Sequence, residues 1–167
     1  MISSTVILLL PFFFLLHELE EIFMVPLWVK KNSTIMRRRF PKLERIINKM
    51  EQMTTQRFAT IALEELLIVS VCTFVSLQTE NQTAWYCCLA AFSIHLIGHI
   101  AQFVVWRRYI PAIISTALCL PYCIVAILKS HCYFTLNELI IYSLIGILLG
   151  GINLLLMHKL CTYYPTT

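Results

Sequence analysis

Charge is what this sequence most conspicuously lacks. Only 13% of its 167 residues are charged, whereas 59% are hydrophobic. In soluble domains, roughly a quarter of the residues are charged. The mean hydropathy is +0.76, and several stretches reach the roughly 20 apolar residues that a bilayer-spanning helix needs. The sequence therefore excludes a soluble globular domain and predicts an integral membrane protein.

Glycine is scarce as well, and the chain has none of the glycine-containing signatures of common enzyme classes. It has four glycines, and no phosphate-binding loop, dinucleotide-binding fingerprint or Gly-x-Ser-x-Gly motif occurs. The seven cysteines form no Cys-x-x-Cys pair, and most lie in apolar stretches. We interpret them as small residues of membrane helices rather than as disulfides or metal ligands.

Apolar segments recur along the whole chain and predict an all-α, polytopic membrane helix bundle of about five transmembrane helices. We expect residues 1–167 to form a single membrane domain, with a polar, basic loop at 30–57 that Pro41 interrupts. After Lys42 the apolar residues of this loop recur at helical spacing, so we expect that part to lie flat on the membrane. The predicted spans are 5–29, 58–77, 84–105, 110–128 and 136–160.

The basic residues are distributed unevenly about these spans. With five spans, all of them except Lys129 fall on one side of the membrane. The positive-inside rule then predicts an outside N-terminus, a cytoplasmic loop 30–57 and a cytoplasmic C-terminus. Next to membrane spans, this loop indicates a topology determinant that contacts anionic lipids, and not a nucleic-acid-binding segment.

Several ionisable residues lie within the predicted spans, where they need partners. A charge at the centre of a membrane helix costs about 2.5–3.5 kcal/mol. No lysine or arginine lies in the interior of a span, so the carboxylates must be protonated, hydrated, paired with histidine or bound to a cation. These residues are His17, Glu20, Glu21, Glu64, Glu65, His95, His99 and His158.

Their spacing favours a metal site. At 1.5 Å per residue, they fall at one depth, in the half of the bilayer next to the basic loop. His95 and His99 are four residues apart, which lets two imidazoles of one helix hold one metal ion. We predict one or two ions of zinc, iron or manganese, with a metal-free network of hydrogen bonds and ion pairs as the alternative. The candidate ligands are His17, Glu21, Glu64, Glu65, His95, His99 and His158, and Glu20 is the candidate catalytic base.

The segment His17-Glu18-Leu19-Glu20-Glu21 resembles the signature of the HXXEE family of bacterial integral membrane proteins. A glutamate in the second span, a His-x-x-x-His in the third and a Tyr-x-Pro at the start of the fourth follow in the family's order. In this chain they are Glu64 or Glu65, His95 and His99, and Tyr109-Ile-Pro111. Ala112 stands where the family pattern has glycine. The resemblance implies a bacterial plasma-membrane protein and an enzyme that uses these histidines and glutamates.

Together these patterns predict a membrane-embedded, metal-dependent enzyme, either a hydrolase or an oxidase or oxygenase, that acts on an amphipathic or lipid-like substrate. Two alternatives are a proton or metal-ion transporter and a non-catalytic subunit of a membrane complex. A transporter needs polar groups across the whole bilayer. The predicted spans carry theirs in one half, which favours the enzyme.

Overall fold

Helices account for nearly all of the computed structural model, which describes residues 2–163 and the side chains as far as Cys161. A 3-10 turn at Pro41–Leu43 joins the first two helices. In the described range the helices are α1 (Ser4–Arg39), α2 (Glu44–Glu51), α3 (Thr55–Thr79), α4 (Thr83–Trp106), α5 (Ile113–Ser130) and α6 (Leu136–Tyr163). The predicted all-α helix bundle is confirmed.

The number of membrane-spanning helices differs from the prediction. Four helices, α3 to α6, are long and apolar enough to cross a membrane, whereas we predicted about five. The difference lies in α1, whose 36 residues are long enough but include three glutamates close together at 18, 20 and 21. The predicted orientation assumed five spans, and it stays a prediction.

The first helix also extends beyond its predicted end. It continues through the basic residues to Arg39 and stops at Phe40, just before Pro41, which cannot donate the next helical hydrogen bond. α2 then folds back onto α1, where Ser33 donates a hydrogen bond to Glu51 and Arg37 forms an ion pair with the same carboxylate. These contacts with Ser33 and Arg37 lower the pKa of Glu51. Most of the segment predicted as a loop is therefore helical.

Four helices surround the centre of the bundle. α1 packs against α3 and α5, and α4 packs against the same two helices, while α6 lies outside this ring against α3 and α4. α1 and α4 face each other across the centre and run parallel. Trp85 Nε1 donates to the Ile7 carbonyl over 3.1 Å, and the rings of Phe14 and Phe92 are 5.3 Å apart. This alignment sets residues near 17 on α1 level with residues near 95 on α4.

Candidate metal centre

Two pairs of residues, each four positions apart, face each other where α1 meets α4. His17 and Glu21 lie one turn apart on α1, and His95 and His99 do so on α4. Side chains four residues apart share one face of a helix. The parallel alignment of α1 and α4 therefore brings these four side chains, the His/Glu cluster, into one group.

The ligand atoms of the His/Glu cluster converge. His95 Nε2 lies 3.1 Å from His17 Nε2 and 3.0 Å from His99 Nε2. Glu21 places Oε1 3.1 Å from His99 Nε2 and Oε2 3.7 Å from His95 Nε2. One ligand atom from each residue lies within 4.8 Å of the others. Tetrahedral ligands about 2 Å from a metal ion are about 3.3 Å apart, so this group could hold one ion.

Most of the His/Glu cluster is shielded from solvent and lipid. His17 is 0% exposed, and Glu21 and His99 are each 6% exposed. The side chain of His95 is 35% exposed, so the cluster is accessible from one side only.

The contacts of Ser115 favour one tautomer of His17. The Ser115 hydroxyl lies 3.2 Å from the Ala112 carbonyl, to which it can donate, and 3.0 Å from His17 Nδ1. With its proton donated to Ala112, Ser115 can accept a hydrogen bond from Nδ1–H of His17. The lone pair of His17 Nε2 then faces the other ligand atoms. Metal-binding histidines commonly donate their second ring N–H in this way.

The sequence of this region matches a known family. Residues 8–126 match the family described as "Protein of unknown function with HXXEE motif". The chain belongs to the HXXEE family. The matched range includes all four residues of the His/Glu cluster, and the predicted family membership is confirmed. No curated protein and no solved structure matches this chain.

The two glutamates that end the HXXEE motif have different surroundings. Glu21 belongs to the His/Glu cluster, whereas Glu20 faces the start of α5. The Glu20 carboxylate accepts hydrogen bonds from Ser115 N over 2.7 Å and from the Tyr109 hydroxyl over 3.1 Å. Desolvation and this contact with Glu20 raise the pKa of Tyr109, so the phenol stays a donor. Glu20 therefore positions Ser115, which contacts His17. Its role as a catalytic base stays a prediction.

Three of the predicted ligands lie outside the His/Glu cluster. Glu64 accepts a hydrogen bond from Asn153 Nδ2 over 3.0 Å, on the side of α3 that faces α6. Glu65 and His158 instead line a small cavity of about 30 Å³ that also borders Glu21 and His95. The seven predicted ligands thus divide into four residues that converge and three that lie outside the His/Glu cluster.

Sequence reasoning missed two residues of this region. Glu18, the first variable position of the HXXEE motif, is 4% exposed and lines the small cavity. Its spacing of three residues from Glu21 was the available signal. Ser115 carries no local signal, because its contact with His17 depends on how α5 packs against α1.

Proposed function

We propose that this chain is a membrane-embedded enzyme that binds a metal ion through the His/Glu cluster and acts on an amphipathic, lipid-like substrate. The observation that supports this most strongly is that ligand atoms of three histidines and one glutamate lie within 4.8 Å of one another. Imidazole and carboxylate are the ligand types that iron, manganese and zinc share.

A metal-free hydrogen-bond network explains this geometry less well. With His17 Nε2 unprotonated, a proton on His95 Nε2 can be donated to it. With Glu21 ionised, His99 Nε2 then has a repulsive neighbour in either state. Its proton can be donated to Glu21 Oε1 over 3.1 Å but lies beside the N–H of His95, whose Nε2 is 3.0 Å away, and its lone pair would face the carboxylate. Without a proton on His95 Nε2, two lone pairs meet at 3.1 Å. Neutral imidazoles beside an ionised Glu21 thus leave at least one repulsive contact, which a shared cation would remove.

The number of ligands favours iron or manganese over zinc. Zinc sites are usually four-coordinate and tetrahedral, so the four ligands of the His/Glu cluster would close them to substrate. Iron and manganese accept more than four ligands, so the same four residues would leave room for substrate. These residues would hold the ion, which would supply Lewis-acid activation of a substrate oxygen or a water molecule, or chemistry with dioxygen.

The small cavity supplies a place for the reacting group. Its volume of about 30 Å³ is enough for one water molecule or a small oxygen-bearing group. The carboxylates of Glu18 and Glu65 border it beside His95, where they can accept a proton. Exposed apolar side chains cover α3 and α6 next to it. A substrate with an apolar tail and a polar head fits this combination.

We propose the bacterial plasma membrane as the location, as the family resemblance implies. The N-terminus would lie outside, and α2 would lie against the cytoplasmic lipid surface. The His/Glu cluster would then lie in the cytoplasmic half of the bilayer. The interior towards the other end of the bundle is filled by the buried side chains of Leu10, Phe14, Leu89 and Phe92. This apolar layer favours an enzyme over a transporter.

Metal analysis of purified protein tests the proposal. We expect about one equivalent of iron or manganese per chain, measured by mass spectrometry on protein purified in non-ionic detergent without chelator. His17→Ala and His99→Ala should each lose the ion. Glu64→Gln is the matched control, because Glu64 lies outside the His/Glu cluster, and it should keep the ion.

The outcomes separate the alternatives. Bound zinc would indicate a closed structural site, and no metal after reconstitution would overturn the proposal. A membrane lipid extract incubated with the loaded protein should yield a substrate and product pair by mass spectrometry. Equal conversion by His99→Ala would contradict a metal-dependent enzyme.

A further inference from the structure

A second and larger cavity lies at the opposite end of the bundle from the His/Glu cluster. It has a volume of about 730 Å³ and is bordered by the start of α1, the turn between α3 and α4, and the turn between α5 and α6. Gln82, which lines it, precedes His95 by thirteen residues. At 1.5 Å per helical residue the two are roughly 20 Å apart. The large cavity is therefore separate from the proposed metal site.

Two buried polar side chains in the large cavity have unsatisfied oxygens. Ser76 is 1% exposed and Gln82 is 6% exposed. Among the residues that the structure describes, Ser76 Oγ and Gln82 Oε1 find no hydrogen-bond partner. A buried polar group left unpaired is destabilising. Both residues line the large cavity, and the Gln82 oxygen specifically requires a donor.

Among the described residues, the charged side chains that line the large cavity are acidic. Glu80 and Glu138 line it, and none of its described lining residues is a lysine, arginine or histidine. The Glu138 carboxylate accepts hydrogen bonds from Thr135 N and Oγ1 through one oxygen only. These carboxylates favour a positively charged ligand.

Aromatic rings line the same cavity. Tyr133, Phe134 and Tyr142 border it, with Phe134 4.7 Å from the Tyr133 ring and 5.3 Å from the Tyr142 ring. The faces of aromatic rings attract organic cations, and cages of such rings recognise substituted ammonium groups. Inorganic cations would use the carboxylates but gain little from this aromatic group.

We propose that the large cavity binds an organic ammonium compound that also carries a hydrogen-bond donor, either as a free amino alcohol or as the headgroup of a lipid. The ammonium group would lie between the two carboxylates and the rings, and its N–H or O–H groups would reach Gln82 and Ser76. The proposal does not depend on the metal site.

Calorimetric titration of the full-length protein in non-ionic detergent tests this with choline and ethanolamine, against sodium chloride at equal ionic strength. We expect saturable binding that Glu80→Gln combined with Glu138→Gln weakens by about tenfold or more, because both charged contacts with the ammonium group are lost. Glutamine at 138 keeps an oxygen for Thr135 N–H. Unchanged binding in this double variant would overturn the proposal.

A second pair of variants isolates the Ser76 hydroxyl. Ser76→Ala and Thr73→Val each remove a buried hydroxyl of α3 that finds no partner among the described residues. Of the two, Ser76 lines the large cavity. We expect Ser76→Ala to weaken binding by about threefold or more, and Thr73→Val to leave it unchanged. Equal effects of the two substitutions would contradict the assignment. Thermal unfolding of both variants as in wild type would confirm that they fold.

Lipid nanodiscs distinguish the two sources of the ligand. Native mass spectrometry should show phosphatidylcholine or phosphatidylethanolamine retained in preference to phosphatidylglycerol if the ligand is a headgroup. Saturable binding of choline or ethanolamine without lipid preference indicates a free amine. Retention of phosphatidylglycerol equal to the others, with no binding of either free amine, would overturn the proposal.

Discussion

The side of the bundle where α1 meets α4 and the side where α3 meets α6 use similar ionisable residues differently. Between α1 and α4, four ligand atoms lie within 4.8 Å of one another. Between α3 and α6, Glu64 is paired with one neutral amide, that of Asn153. The helices also differ in burial: 11% of the apolar stretch of α6 is buried inside the protein, against 33% for α4.

Ionisable residues at a similar level along the bundle do not necessarily converge into one site. Both sides place polar groups at a similar level, since Glu65 and His158 line a cavity that also touches Glu21 and His95. Central helices direct such groups towards one another, where a shared cation can neutralise them. α6, which lies outside the ring, gives Glu64 one hydrogen-bond partner, Asn153.

The largest expected effect comes from removing the metal. If the α1–α4 side depends on a bound ion, then an ion at about a thousand times its dissociation constant stabilises the fold by about 4 kcal/mol. For a chain of this size that corresponds to roughly 10 °C in Tm. We expect a chelator to lower the Tm of wild type by this amount, measured by intrinsic tryptophan fluorescence. His99→Ala should start from the lower Tm and should not respond to the chelator.

The next largest effect concerns the packing of α6. A Cβ on Gly146 would overlap the backbone of Cys87 on α4, with the carbonyl carbon at 2.7 Å, so α6 would have to move away. We expect Gly146→Ala to destabilise the protein by on the order of 3 kcal/mol, measured by thermal unfolding. The α1–α4 side should nevertheless keep its metal.

Gly151→Ala is the matched control on the same helix. A Cβ there meets nothing within 4 Å, and alanine favours a helix over glycine. We expect unchanged or slightly increased stability. If Gly146→Ala also abolished metal binding, the two sides of the bundle would not be independent, and the comparison would fail.

Local periodicity explains which parts of the site the sequence could predict. The pairs His17–Glu21 and His95–His99 each lie on one helix at a spacing of four, so their shared faces follow from helix geometry. The end of α1 also follows from a local signal, because Pro41 stops the helix. The basic residues before Pro41 indicate a loop by their charge, yet they continue the helix.

Packing between distant helices explains the rest. That Glu21 joins the His/Glu cluster while Glu64 pairs with Asn153 depends on which helices occupy the centre, and no spacing within α1 or α3 determines this. The contact of Ser115 with His17 joins residues 98 positions apart. Five apolar segments do not reveal that α6 lies outside the ring, because apolar surface is favourable against both lipid and protein.

A smaller effect concerns the contact between Ser115 and His17 on the α1–α4 side. Ser115→Ala removes the acceptor of His17 Nδ1–H, so the imidazole loses both its orientation and its fixed tautomer. Loss of such a partner usually costs 10- to 100-fold, roughly, in metal affinity, measured by competition with a chelator. Thr116→Val is the control, because this neighbouring hydroxyl is buried and finds no partner in the part of the chain that the structure describes. It should keep wild-type affinity. Equal loss in both variants would indicate a general effect of α5 packing.

The smallest expected effect tests the α3–α6 side. Asn153→Leu removes the one hydrogen bond that the structure gives to the Glu64 carboxylate, and polar contacts between membrane helices average about 0.6 kcal/mol. We expect a decrease in thermal stability of that order, with metal content unchanged. Glu64→Gln should keep the contact, because its amide oxygen can still accept from Asn153, and should unfold as wild type does. Loss of metal in Asn153→Leu would instead make Glu64 and Asn153 part of the site, since a contact that only joins α6 to α3 has no reason to affect an ion held between α1 and α4.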